Sequence, residues 1–306
     1  MAFTAADVKK LREMTNVGMM DCKKALAETD GDMDKAIEYL REKGLAKAAK
    51  KAGRIAAEGM AYAAVINGTG VIVEVNSETD FAAKAPVFVD FVKDVATAVA
   101  ESDAADVEEL KNVKYPNSDK TVGEMIPEKV LVIGENIQIR RFARYTENTS
   151  VAYVHAGGRI GVLVNLAVEG GIDATEIGKD MAMQIAALNP RFWDKSNVTE
   201  EVLEEEKKIL VAQMDNDPKM ASKPQQVKEK IALGKINKFY EENCLMQQAF
   251  VKDGSMSVEQ YAASAAKALG GSVKLVDAIR FEKGEGIEKK VDDFAAEVAA
   301  QAGMTK

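Results

Sequence analysis

The sequence is poor in the side chains that most enzymes use for chemistry. In 306 residues it has one histidine, His155, and two cysteines, Cys22 and Cys244. One imidazole cannot build a histidine-rich metal site, and no cysteine or carboxylate cluster of ligand spacing surrounds it. His155 is therefore expected to be structural or to touch a partner. The two cysteines, both in helix-like segments, give no disulfide framework and point to a reducing cytoplasm with ordinary thiols. Missing as well are a G-x-x-x-x-G-K-[ST] phosphate loop, a G-x-S-x-G elbow, an H-E-x-x-H helix and a kinase signature. Neither an enzyme nor a bound cofactor is expected. The glycine pairs Gly157-Gly158 and Gly270-Gly271 fit tight turns better than a phosphate cradle. No apolar run approaches the ~20 residues of a membrane span. Residues 1–7 have neither a basic nor an apolar leader region, so no secretory signal is expected. Positive charge is not in excess either. Lys and Arg number 41 against 49 Asp and Glu, a net charge of -8, and that field repels phosphate backbones and anionic lipid.

What is present is the balance of a folded protein, with 47% apolar and 29% charged residues and enough chain for two or three compact units. The start reads as three short helices. Thr4 is a plausible N-cap with Asp7 three residues later, and Val8 and Leu11 are the apolar positions behind it. Asn16-Val17-Gly18 breaks the pattern, a second helix spans 19–28, and Asp30-Gly31-Asp32 turns into a third with Ile37 and Leu40 inward. Residues 45–58 are rich in Ala and Lys, which predicts a solvated connector helix. Five positive side chains lie between Lys43 and Arg54 without interleaved aromatics. A charged exposed face is the simpler reading of them, and an RNA-associated translation adaptor is the alternative.

The period then changes. Runs at 61–66 and 71–75 flank Asn67-Gly68, a hairpin signal. Pro86 opens an amphipathic helix carrying Phe88, Phe91, Val92, Val95 and Val99, and after a polar excursion a third strand covers 137–142. The same order recurs: a hairpin at 151–154 and 160–167, a helix with Ile177, Met181, Ile185 and Leu188, and a strand at 276–281. Hairpin, helix and returning strand, twice, imply a duplicated core, with Val73-Glu74-Val75-Asn76 matched to Val162-Leu163-Val164-Asn165. Two charged helices around Asn216-Asp217-Pro218 interrupt the second copy as an antiparallel hairpin, its seam read as Val202, Ile209, Val211, Val227, Ile231 and Phe239. Phe294 and Val298 suggest a short terminal helix.

These elements predict an α+β fold in five parts. They are a helical bundle and connector at 1–55, core subdomains at 56–148 and at 149–195 with 242–286, a helical hairpin at 196–241, and a C-terminal module at 287–306. The unusual segment is Asn76-Ser77-Glu78-Thr79-Asp80-Phe81-Ala82, an acid beside a large aromatic just after a strand. Two readings stand. Phe81 plugs its own core while Asp80 or Thr79 caps the next helix, or a rigid sheet presents the pair to a partner. Met19 and Met20 pose the same question, since neighbours on a helix point about 100° apart and one of them should reach the rim.

The run from Leu11-Arg12 through Gly18-Met19-Met20-Asp21-Cys22-Lys23-Lys24-Ala25-Leu26 resembles the amino-terminal signature of bacterial elongation factor Ts. The resemblance continues through Glu74 to Phe81, Ile133-Gly134-Glu135-Asn136, Val154-His155 to Val164, and Ile279-Arg280-Phe281-Glu282. It covers essentially the whole chain, in order. Two positions depart from the family pattern: Ala82 stands where the Thr-Asp-Phe tetrad usually ends in valine, and Asn16 stands where glycine is common. The resemblance implies a UBA-like bundle and a guanine-nucleotide exchange factor that binds elongation factor Tu. Thr79, Asp80, Phe81 and Ala82 would disturb the partner's Mg2+ and phosphate site. Leu11, Met19, Met20, Ile133, Gly134 and His155 would make further contacts. Magnesium and nucleotide would belong to the partner, and no metal or cofactor to this chain.

Overall fold

The structure, a computed structural model, describes residues 3–288; the expected terminal helix with Phe294 and Val298 lies outside them. Helix α1 (Ala5–Thr15) opens as its sequence dictates. The Thr4 hydroxyl accepts from the Asp7 N–H, and the Asp7 carboxylate accepts in return from the Thr4 N–H. Asn16 closes it at φ 54°, a left-handed conformation that asparagine tolerates better than most residues, so the departure from glycine keeps the turn. With α2 (Met19–Glu28) and α3 (Met33–Lys51), α1 buries Val8, Leu11, Cys22, Leu26, Ala36 and Leu40.

The third helix and the first half of its connector are one 19-residue helix that ends at Lys51, short of the expected 58, where β1 begins instead. No Pro interrupts 33–51, and alanine and lysine propagate the helix without needing a new cap. Nor is the connector half simply solvated. A Cβ on Gly44 would lie 3.1 Å from the carbonyl oxygen of Pro127, and Ala48 packs against the core.

Strands β1 (Glu58–Ile66) and β2 (Thr69–Ser77) pair around Asn67 and Gly68, both at positive φ, the backbone that a two-residue hairpin turn requires. Then come α4 (Asp80–Lys84), α5 (Pro86–Ala100), α6 (Val107–Leu110) and α7 (Val122–Ile133). Strand β3 (Gln138–Tyr145) completes an antiparallel sheet in the order β1-β2-β3. The expected polar excursion thus holds a 12-residue helix. Thr121 and Glu124 form its capping box, and it tolerates Pro127 inside it. Strands β4 (Thr149–His155) and β5 (Ile160–Glu169) and helix α8 (Thr175–Leu188) begin the second half. Helices α9 (Glu200–Asn216) and α10 (Gln225–Asn243) pair antiparallel. The short strands β6 (Ala249–Phe250) and β7 (Asp253–Ser257), helix α11 (Val258–Ala268) and strand β8 (Ser272–Glu282) follow, giving the order β4-β5-β8. The seam of the helical pair is partly as expected. Phe239 is buried with Val202 packed in the same cluster, Met214, Ala232 and Ile236 are buried as well, and Ile209 and Val227 are exposed.

The two sheets stand face to face. Val71, Val73 and Val75 of β2 point outward to α5 and α7, while Ile72 meets Leu163 and Phe281 of the other sheet. Likewise Val162, Val164 and Leu166 of β5 point to α8 and α11. Each central strand is therefore buried on both faces, which is why β2 and β5 read as continuous apolar runs rather than alternating ones. Cys22 and Cys244 are both buried and unpaired, and burial pushes both thiols up, Cys244 to about 11. Among the described residues no helix is long and apolar enough to cross a membrane.

A carboxylate sits inside this packing. Glu74 is fully buried on the Ile72 side of β2. Its carboxylate accepts from Arg140 at 3.0 Å, Arg141 at 2.6 Å, the Asn76 amide at 3.2 Å and the Gly284 N–H at 2.8 Å. A buried carboxylate with this many donors is compensated, but removing it leaves the Gly284 N–H without its acceptor and takes a partner from Arg140 and Arg141, which keep their contacts to Glu285. Glu74→Ala is expected to lower unfolding stability by about 3 kcal/mol, read as a lower urea midpoint with an unchanged slope.

Candidate functional site

At the end of β2 the Ser77 hydroxyl donates to the Thr79 carbonyl at 3.1 Å and tightens the turn. Thr79 is the N-cap of α4, and its hydroxyl oxygen accepts from the Ala82 N–H at 3.2 Å. The alternation of a helical turn then sorts the next residues. Ala82 and Ala83 face the core, and Phe81 faces out, 83% exposed. Phe81 does not plug its own core, although the capping half of that alternative is present in Thr79.

The turn is held from outside α4. The Glu135 carboxylate accepts from the Thr79 N–H at 2.9 Å and from its hydroxyl at 2.6 Å. Glu78 accepts from the Asn136 N–H at 2.7 Å and pairs with Arg54 at 3.5 Å. The Asn136 amide donates in turn to the Arg54 carbonyl at 2.8 Å. Three segments distant in sequence, around residues 54, 79 and 135, are thereby braced together. Asp80 carries a salt bridge of 2.6 Å to Lys84, one helical turn on. The Lys84 hydrogen bond holds the Asp80 carboxyl below its ordinary range, with help from the Lys84 charge and from Lys283.

The other expected residues divide into surface and support. Met20 is 74% exposed and Met19 42%, side by side at the start of α2. Leu11 is a correction: it is fully buried among the bundle residues, so it offers no contact surface in this structure. Ala82, 8% exposed, is likewise turned inward. Ile133 is half-buried against the core, and Gly134 is the exposed left-handed C-cap of α7, at φ 84°. His155 is exposed at the end of β4, its Nδ1 2.9 Å from the Tyr153 hydroxyl. The turn after His155 docks on the first sheet, where the Gly158 carbonyl accepts from the Ala61 N–H at 2.8 Å. Since Glu58 pairs with Ser77, His155 and the Phe81 loop lie toward the same end of the sheets.

Charges tie the bundle's helices to one another and, at Lys51, the bundle to this end. Asp21, next to Met20, accepts from Lys43 at 2.7 Å and Lys47 at 3.0 Å, and the Lys43 hydrogen bond is the main cause that holds its carboxyl low. Lys51 donates to the Gly134 carbonyl. Four of the five positive residues from Lys43 to Arg54 are thus engaged within the protein, which weighs against the RNA-adaptor reading. Glu78, Lys84, Glu135 and Asn136 are the site residues that pattern reading missed. The sequence offers no sign that residues 56 and 58 positions apart will meet. Among the described residues no group of three or more His, Cys, Asp or Glu side chains is placed to hold a metal ion.

The family model described as Elongation factor TS matches residues 78–285, from the Thr79 turn through β3, the second sheet and the helical pair. Elongation factor Ts of Clostridium kluyveri is 48% identical over 304 residues, covering 97% of this chain and 98% of that protein. That of Trichlorobacter lovleyi is 48% identical over 314 aligned positions, covering 99% and 100%. That of Magnetococcus marinus is 45% identical over 302 residues, covering 98% of each.

The Asp80–Lys84 pair gives a pH expectation. A carboxyl whose folded pKa is depressed contributes stability above its ordinary pKa and loses that contribution as pH falls through the depressed value. The loss therefore lies below about pH 4, and the pair is intact at neutral pH. A carbon-detected NMR titration should place the Asp80 midpoint below that of an unpaired aspartate, and Lys84→Met should raise it.

Proposed function

The chain belongs to the elongation factor Ts family and is a translation elongation factor, and from that premise we propose that the Asp80–Phe81 turn is the part that acts on its GTPase partner. The partner is elongation factor Tu in its GDP-bound and nucleotide-free forms, met in the cytoplasm. The observation that carries the reading is Phe81. Burying a phenylalanine is worth roughly 2 kcal/mol, yet a capped and braced turn holds this one in water. A fixed aromatic of this kind is suited to enter a pocket on another protein with little further ordering to lose.

The mechanism needs no covalent step. A factor that prefers nucleotide-free partner must weaken nucleotide binding by the same coupling free energy with which nucleotide weakens its own. Phe81 acts as the apolar wedge, and Asp80 brings a carboxylate, already ionised at neutral pH, to the neighbourhood of the partner's Mg2+ and phosphates. Met19 and Met20 form a second, adaptable contact on the partner's nucleotide-binding domain. Ile133, Gly134 and His155 flank the wedge, and the α9–α10 pair and the segment beyond residue 288 extend the interface.

The finer architecture belongs to the same proposal: a UBA-like bundle at 1–55, core subdomains at 56–148 and at 149–195 with 242–286, the helical hairpin at 196–241 and a module at 287–306. Duplication of the core is supported by matching irregularities. The β2–β3 register shifts between Glu74 and Val75, and the β5–β8 register between Asn165 and Leu166. That pairs Glu74 with Asn165 and Gly70 with Gly161, two residues away from the match suggested by the Val73 and Val162 runs.

Release of fluorescent GDP from the partner should be accelerated by the wild type and, at saturating factor, about tenfold less by Phe81→Ala. Equal acceleration would remove Phe81 from the mechanism. Met20→Asp, which sets a charge in an apolar contact, should weaken the complex about tenfold in calorimetry while the circular dichroism spectrum stays unchanged.

A further inference from the structure

The Thr79 hydroxyl has two roles in one turn. It donates its proton to Glu135 at 2.6 Å, and the same oxygen accepts from the Ala82 N–H at 3.2 Å. A hydroxyl whose proton is drawn to a carboxylate becomes a better acceptor, so the two hydrogen bonds strengthen one another. The second Glu135 oxygen takes the Thr79 N–H at 2.9 Å, which fixes the backbone at the start of α4 as well. Glu135 itself cannot drift. Gly134 before it ends α7 in a left-handed cap, and Asn136 after it is tied by its N–H to Glu78 and by its amide to the Arg54 carbonyl. Helix α4 is only five residues long, too short to hold its own direction by internal hydrogen bonds.

We propose that Glu135 is a positioning residue for nucleotide exchange: through its two-point grip on Thr79 it sets the direction in which α4 presents Phe81. This rests on the reading of Phe81 as the wedge and adds a residue that need not touch the partner. The same brace reaches the bundle through Arg54 and through Lys51, which donates to the Gly134 carbonyl. Glu135 therefore lies where the Met20 face and the Phe81 face are tied into one rigid piece. A loosened grip leaves the apolar contacts available but lets the wedge wander, and an error of about 1 Å in such a group can cost as much as a hundredfold in rate.

The experiment separates binding from action. For full-length wild type, Glu135→Ala, Glu135→Gln, Thr79→Val and Phe81→Ala, the affinity for nucleotide-free partner is measured by calorimetry. The GDP release rate at saturating factor is measured by stopped flow, and folding is checked by thermal melting. Glu135→Ala should lower the saturated release rate about tenfold, with affinity changed less than about threefold and melting close to wild type. Glu135→Gln keeps one acceptor for Thr79 and should fall between the two. Thr79→Val and Glu135→Ala together should cost little more than either alone, because both break one linkage. An unchanged saturated rate in Glu135→Ala, with Phe81→Ala slow, overturns the positioning role alone. So does a lost rate that merely follows lost affinity or melting. An unchanged rate in Phe81→Ala overturns the wedge reading, and the role of Glu135 with it.

Discussion

The fold depends on how closely two sheets approach. Ala61 and Ala63 present only methyl groups to the second sheet, and a Cβ on Gly161 would stand 3.1 Å from the Ala61 carbonyl oxygen. A Cβ on Gly70 would collide with the Ser150 side chain. Small residues at these points let Ile72, Leu163 and Phe281 interlock. Once the sheets face each other, their outer faces need helices, and α5 and α7 on one side and α8 and α11 on the other supply them. The buried Glu74 is possible only because the second sheet delivers Gly284 to it.

Function follows from what that block does to its ends. The turn after β2 and the turn after His155 are held by hydrogen bonds that run across, not along, the chain. Thr79 and Asn136 donate to the Glu135 and Glu78 side chains, and the Ala61 N–H donates to the Gly158 carbonyl. The bundle, which in isolation would be near the lower size limit for a stable unit, gains its orientation from Gly44 lying against Pro127, from the Arg41–Glu124 pair and from Lys51 on the Gly134 carbonyl. The exchange mechanism we propose asks for a turn that keeps its direction when it meets a partner, and these cross-braces are suited to that.

Much of this was legible in the residues. Thr4 with Asp7, Asn67-Gly68 and Pro86 each state a local conformation that the whole fold accepts, and the bounds of α2 came out to the residue. Helix α7 was not legible because Pro127 in its interior argues for a break, and what offsets the lost hydrogen bond is tertiary packing against α3, α5 and β2. Helix α11 was passed over although Ser257 and Gln260 spell its capping box. At the site, the position of Asp80 and Phe81 after a strand was readable, but the outward direction of Phe81 was not. That direction depends on Glu135, and no period in the sequence links the two. Leu11 was misjudged for a related reason: an apolar helix position does not itself say whether it faces a core or a partner.

The contact between Glu74 and Gly284 spans 210 residues of chain. A ribosome making this protein completes β1, β2 and β3 long before it reaches β8, so through most of synthesis Glu74 lacks the last of its donors. The nascent first sheet also has no second sheet to cover Ile72. The first sheet therefore reaches its full set of contacts only once the strand at 272–282 and Gly284 after it have been made. Such long-range closure is slow by topology. In this translation factor a late-made strand completes the packing of an early-made sheet.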